Sequence, residues 1–183
     1  MSGAHGHGHA DPSNKKIALL IAVLALVLAF SETLGKSAQT AALSLNIEAS
    51  NLWAFFQAKT IRQTVLRTAA EQTAITASGE QAKKQMDAWK KTADRYQSEP
   101  ETGEGRNELA ARAKVAEKKR DRALAAYHHY ELASAAVQIA IVLASASIVV
   151  AAPVLAWIGA GLGVVGVVFC LIGFFAPTAV HLF

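Results

Sequence analysis

The sequence predicts an all-α integral membrane protein with three transmembrane helices and a long, coiled-coil-like helical hairpin outside the membrane. Three observations predict it. Charge is segregated: Lys15 and Lys16 stand near the start, every other Lys and Arg lies between Lys36 and Arg122, and no Asp, Glu, Lys or Arg follows Glu131. The uncharged stretches are rich in Leu, Ile, Val and Ala, as lipid-facing segments are. The charged middle, from Gly35 to Tyr130, contains one proline and is dominated by Ala, Gln, Lys, Glu and Arg, which are strong helix formers. A soluble fold spreads charge over its surface, so the distribution excludes that class. A disulfide scaffold is excluded too, because Cys170 is the only cysteine.

Residues 1–16 read as a tail in which His5, His7 and His9 alternate with glycine. Imidazoles at this spacing hold Zn, Ni or Cu loosely or form part of a disordered segment. The first span is 17–34, at the short end of the ~17–25 residues a crossing helix needs. No good small-x-small cleavage site follows it, so it reads as a retained anchor and not a cleaved signal. Glu32 is its one charged side chain, and ionisable groups inside spans are often functional.

The middle domain is 35–131. Steps of four and three residues from Ile47 give Asn51, Ala54, Ala58, Ile61, Val65, Thr68, Gln72 and Ile75, and continue through Gly79 to Tyr96 as a packing seam of one long helix, with Gly79 as a candidate break. A second seam runs Leu109, Ala113, Ala116, Arg120, Ala123, Tyr127 and Tyr130. Pro100, Gly103 and Gly105 mark a turn at about 98–106. The two arms of this hairpin do not match. Lys36 to Gln97 as one helix climbs ~90 Å, whereas Asn107 to Glu131 climbs only ~36 Å. The outgoing arm must therefore bend, and the aromatic cluster of Trp53, Phe55 and Phe56 places a membrane-proximal elbow at about 43–56. Trp53, Phe55, Phe56, Tyr127 and Tyr130 are the expected interface anchors, the first three meeting either lipid headgroups or the membrane-proximal helices in a buried contact.

The second span is 132–152 and the third 154–176, divided by Pro153, with 177–183 as a tail. Ala136, Ala140 and Ala144 repeat every four residues, and Gly159 and Gly163 form G-x-x-x-G, so these small faces are expected to bring the two spans together. Gly161, Gly163 and Gly166 also match a dinucleotide fingerprint by letter, but no strand precedes them and no acid follows. Positive residues near the spans favour a cytoplasmic middle domain: Lys15 and Lys16 on one side, Lys36 and the cluster from Arg112 to Arg122 on the other.

The run Asn46-Ile47-Glu48-Ala49-Ser50-Asn51-Leu52-Trp53-Ala54-Phe55-Phe56-Gln57-Ala58-Lys59 resembles a family of small bacterial membrane proteins known only as a domain of unknown function. Tyr130 to Ala133 and Gln138 to Ser145 are similar to its C-terminal part. The resemblance implies a bacterial inner-membrane protein and no activity. No nucleophile–base pair, paired carboxylate or phosphate loop emerges, so the chain is expected not to be an enzyme and to need no cofactor. The expected partners are the lipid bilayer and either further copies of the chain or a membrane-complex subunit, with no nucleic acid. The function expected is that of a scaffold or accessory subunit; the alternative is an ion- or proton-conducting assembly using Glu32.

Overall fold

The computed structural model describes residues 12–180. Among them every regular element is helical: α1 (Pro12–Thr76), α2 (Glu80–Gln97), α3 (Arg106–Val150) and α4 (Pro153–Phe175). α1, α3 and α4 are each long and apolar enough to cross a membrane. The helices end where backbone chemistry demands it. α1 stops before Gly79, whose φ of +116° only glycine adopts without strain. α2 carries Glu80 in its first turn and Arg95 in its last, each matching the sign of the helix dipole there. Between α3 and α4 Ala151 takes a left-handed φ of 53°, and Pro153 then opens α4 at a position that needs no N–H donor.

The chain divides into two units. One comprises the described residues up to Thr40 and from Arg122 onward. In it α4 runs antiparallel to α3. A Cβ on Gly159 would lie 2.8 Å from the Ala140 carbonyl oxygen, one on Gly166 would strike Val137, and one on Gly173 would lie 3.1 Å from the His129 Cβ. Glycines at these three points let the backbones approach closely. Leu24 of α1 packs with Val137 and Ala140 of α3, and it fills the space beside Gly163.

The other unit, Ala41–Asp121, corrects the two-armed hairpin. The outgoing arm is two helices: α1 reaches Thr76, the chain reverses at 77–79, and α2 returns along α1 until Gln97 stands beside Gln63. α3 then starts from that level, with Arg106 at Gln63 and Arg120 at Asn46. This removes the length mismatch. α1 continues without a break through 43–56, so the elbow expected there is absent.

The packing register of α1 differs from the expected one as well. The residues turned inward are Ala42, Leu45, Ala49, Leu52, Phe56, Lys59, Gln63, Leu66, Ala70 and Thr73, again in alternating steps of three and four. Ala49 and Leu52 meet Leu109, Ala113 and Ala116 of α3 in the core. The seam read from Ile47 faces out instead.

Candidate functional site

Two clusters of polar side chains stand out, one in each unit. The first is an open cleft of about 450 Å³ between α1 and α3. Glu32, Lys36 and Gln39 fall on one face of α1 by helical periodicity, and Glu131, Ser134 and Gln138 do so on α3. Gly35 lies beside Tyr130, where even a Cβ would make only ordinary contact at 3.5 Å. The Gln138 amide donates to Glu32 Oε1 at 3.3 Å, and the Tyr127 hydroxyl donates to Glu131 Oε1 at 3.4 Å. Two carboxylates, one ammonium and two carboxamides suit a cation or a polar headgroup. Neither a nucleophile nor a base activated by a neighbour is among them.

Next to the cleft, Tyr127-His128-His129-Tyr130-Glu131 splits between two directions. Tyr127, His128 and Glu131 are partly or fully exposed, with His128 Nδ1 3.8 Å from Glu131. His129 and Tyr130 are buried: the His129 ring stacks on Phe169 with centroids 6.1 Å apart, its Nε2 lies 3.1 Å from the Pro177 carbonyl oxygen, and Tyr130 packs against Gly173. Tyr130 is therefore a packing residue and not an outward anchor.

The second cluster holds two cations inside the Ala41–Asp121 unit. Lys59, only 6% exposed, sits over the rings of Phe55 (5.3 Å) and Tyr96 (5.0 Å). Glu99 and Glu104 each approach its ammonium to 3.8 Å. Arg106 lies over Phe56 at 4.9 Å and donates to the side-chain oxygens of Gln63 and Gln97. Gln63 in turn donates to the Ala93 carbonyl at 2.9 Å. Trp53 meets Phe56 edge-on and donates its indole N–H to Glu117 at 2.8 Å. Of the two settings expected for Trp53, Phe55 and Phe56, a lipid interface or a buried helix contact, the structure has the second: the two Phe rings cover cations and Trp53 holds Glu117.

The same cluster fixes the loop Ser98–Gly105. Glu108, in the first turn of α3, accepts from the Ser98 hydroxyl at 2.6 Å and from the Glu99 N–H at 3.2 Å. The Ser98 bond above all, then the backbone N–H donors, holds the Glu108 carboxyl below the usual carboxylate range.

Of the expected packing residues, Gly159 lies against Ala140 and Ala144, while Gly163 faces Leu24 of α1 and Ala136 is only half-buried. Gly166, in the sequence only a letter of the dinucleotide fingerprint, and Gly173 also pack against α3, and their spacing from Gly159 is helical. Among the described residues no three His, Cys, Asp or Glu side chains gather as a metal site. His5, His7 and His9 lie outside the described residues.

A family model described as a domain of unknown function, DUF4337, matches residues 13–176. The chain belongs to this family. No curated protein and no solved structure matches it.

Proposed function

We propose that the protein is a non-enzymatic scaffold or accessory subunit of the bacterial inner membrane, anchored by three spans, with Ala41–Asp121 as a cytoplasmic assembly module. One observation carries this reading: the buried and half-buried polar groups at the centre of that module are spent on bracing its own helices. Lys59, Gln63, Arg106 and Glu117 bond inward across long sequence separations, and Glu108, at the surface, holds the loop before α3. An active site would instead present such groups, unsatisfied, around a cavity.

The outward side chains of the other unit support the anchor. Leu19, Val23, Leu26, Phe30, Val142, Val164 and Phe174 are all exposed. Apolar surface on this scale is a liability in water and is what a bilayer covers. Native mass spectrometry and crosslinking in mild detergent test the assembly role. A defined oligomer or a stoichiometric membrane partner is expected; a clean monomer without partner sinks it.

The Glu32–Gln138 cleft favours a second reading, a cation- or proton-conducting assembly. Liposome flux that disappears in Glu32→Gln supports it, and flux no greater than that of empty liposomes removes it.

A further inference from the structure

α1 carries two stripes. The inner one packs against α2 and α3. On the opposite side Ile47, Ala54, Ile61, Thr68 and Ile75 recur every seven residues, with Asn51, Ala58, Val65 and Gln72 interleaved between them. Apart from half-buried Ala58 all are exposed: Ile47 by 53%, Ile61 by 64%, Val65 by 60% and Ile75 by 87%. Four large aliphatic side chains on one line of a charged module have no partner among the described residues.

We infer that a second copy of this chain covers the outer stripe of α1, lying parallel and in register. The inference rests on the scaffold reading and names its partner. Self-pairing follows from the polar positions. In register, Asn51 meets Asn51 and Gln72 meets Gln72, and each carboxamide both donates and accepts, so the polar layers satisfy one another. A buried Asn in such a seam specifies register, because any slip strands it among aliphatic side chains.

The flanks agree. In this arrangement the facing pairs are Leu43–Glu48, Ser50–Phe55, Gln57–Arg62, Thr64–Ala69 and Glu71–Thr76, read from the heptad positions. No like charges oppose, and Gln57 can accept from Arg62. Direction follows from the anchor: α1 is one helix from Pro12 to Thr76, so copies inserted alike into one bilayer present the stripe in the same direction.

Size explains why the membrane is needed. Ile47 to Ile75 rises ~42 Å, and a strip ~10 Å wide gives ~400 Å² per copy. That is about half the ~800 Å² per partner of a standard stable interface. Tethering both copies to one bilayer raises their effective concentration and offsets the small area. Isoleucine at 61 and 75 and asparagine at 51 pull the oligomer number in opposite directions. The inference therefore fixes direction and register, and the native mass fixes the number.

The test uses the full chain in its native membrane with Cys170→Ser as background. Ala54→Cys, Ile61→Cys and Ile75→Cys are each expected to form self-disulfides on mild oxidation, at least about tenfold above Ala74→Cys, which points ~100° away around the helix. Self-pairing at only one of the three indicates an antiparallel contact and overturns the inference. So does a cross-link to a chain of different mass, or labelling no stronger than at Ala74. If the native mass is still that of an oligomer in those cases, the scaffold reading survives; a monomeric mass removes both. Ile61→Asp with Val65→Asp, both at exposed positions, should return the assembly to monomer with unchanged helical circular dichroism.

Discussion

Adding one methyl group at two neighbouring glycines of α4 should move stability in opposite directions. At Gly161 a Cβ meets nothing within 4 Å. Alanine there restricts the unfolded chain and improves helix propensity, worth up to about 1 kcal/mol. At Gly159 the same Cβ would stand 2.8 Å from the Ala140 carbonyl oxygen and 3.4 Å from the Ala144 nitrogen. Both atoms belong to the α3 backbone, which cannot swing aside as a side-chain tip can. α3 and α4 must separate locally, and overpacking of this kind costs about 1–3 kcal/mol, against which the propensity gain counts. Gly159→Ala should therefore be destabilised relative to Gly161→Ala by about 1–3 kcal/mol, the overpacking cost alone, because the propensity gain is common to both. Reversible unfolding in mixed micelles, followed by circular dichroism, gives both values on one scale. Equal midpoints for the two variants would refute the close approach of α3 to α4, and with it the role assigned to the glycines.

Further outcomes follow from the cation cluster, the loop and the tryptophans. Lys59→Met keeps the buried stem but loses two ring contacts and two long ion pairs; a loss of about 1–3 kcal/mol is expected in thermal unfolding, and an unchanged midpoint would contradict the cation–ring account. The folded Glu108 carboxyl titrates below its unfolded value, so its stabilising bonds to Ser98 and Glu99 are present above the ordinary carboxylate range and vanish as pH falls through the folded value. Hydrogen exchange at Ser98–Gly105, corrected for intrinsic rates, should accelerate over that acidic window in the native protein and lose the pH step in Glu108→Gln. Among single-tryptophan variants, Trp157, 79% exposed at the start of α4, should be quenched by brominated lipids, and Trp89 should not; similar quenching of both would argue against α4 as a span.

The helices and their breaks were legible because they depend on local chemistry: Gly79, Pro100, Gly103 and Pro153 interrupt otherwise uniform helix-forming sequence. The seam Leu109–Ala113–Ala116 was legible for the same reason, since α3 has one apolar face in its polar half. α1 was harder, because two stripes share the same period. The stronger stripe by hydrophobicity, through Ile47, Ile61 and Val65, looks like the core. The actual inner face is built from alanines, which let helices approach closely, and from Lys59 and Gln63, whose burial is tolerable only with Tyr96, Glu99 and Ala93 around them. Those partners lie some 30–45 residues along the chain; no local pattern announces them. The elbow answers a length mismatch that exists only for a hairpin of two rods, and the module has three. Once α2 folds back along α1, Trp53, Phe55 and Phe56 are left beside the start of α3 and serve the cations there. In the Glu32 cleft, the ionisable residue was visible from sequence, but its meeting with Gln138 was not, because that contact spans the whole middle domain.

The way α2 returns makes the reach of the module adjustable. α3 pairs with α1 only as far as Gln63 and Arg106, while everything beyond is a closed excursion out along α1 and back along α2. Seven residues inserted into each limb of that excursion would lengthen it by about 10.5 Å and return every side chain to its original face. Nothing on the near side of Gln63 would register the change. A stalk built this way can telescope between relatives in heptad increments, so length differences among family members should concentrate between residues 64 and 96 and come in matched pairs.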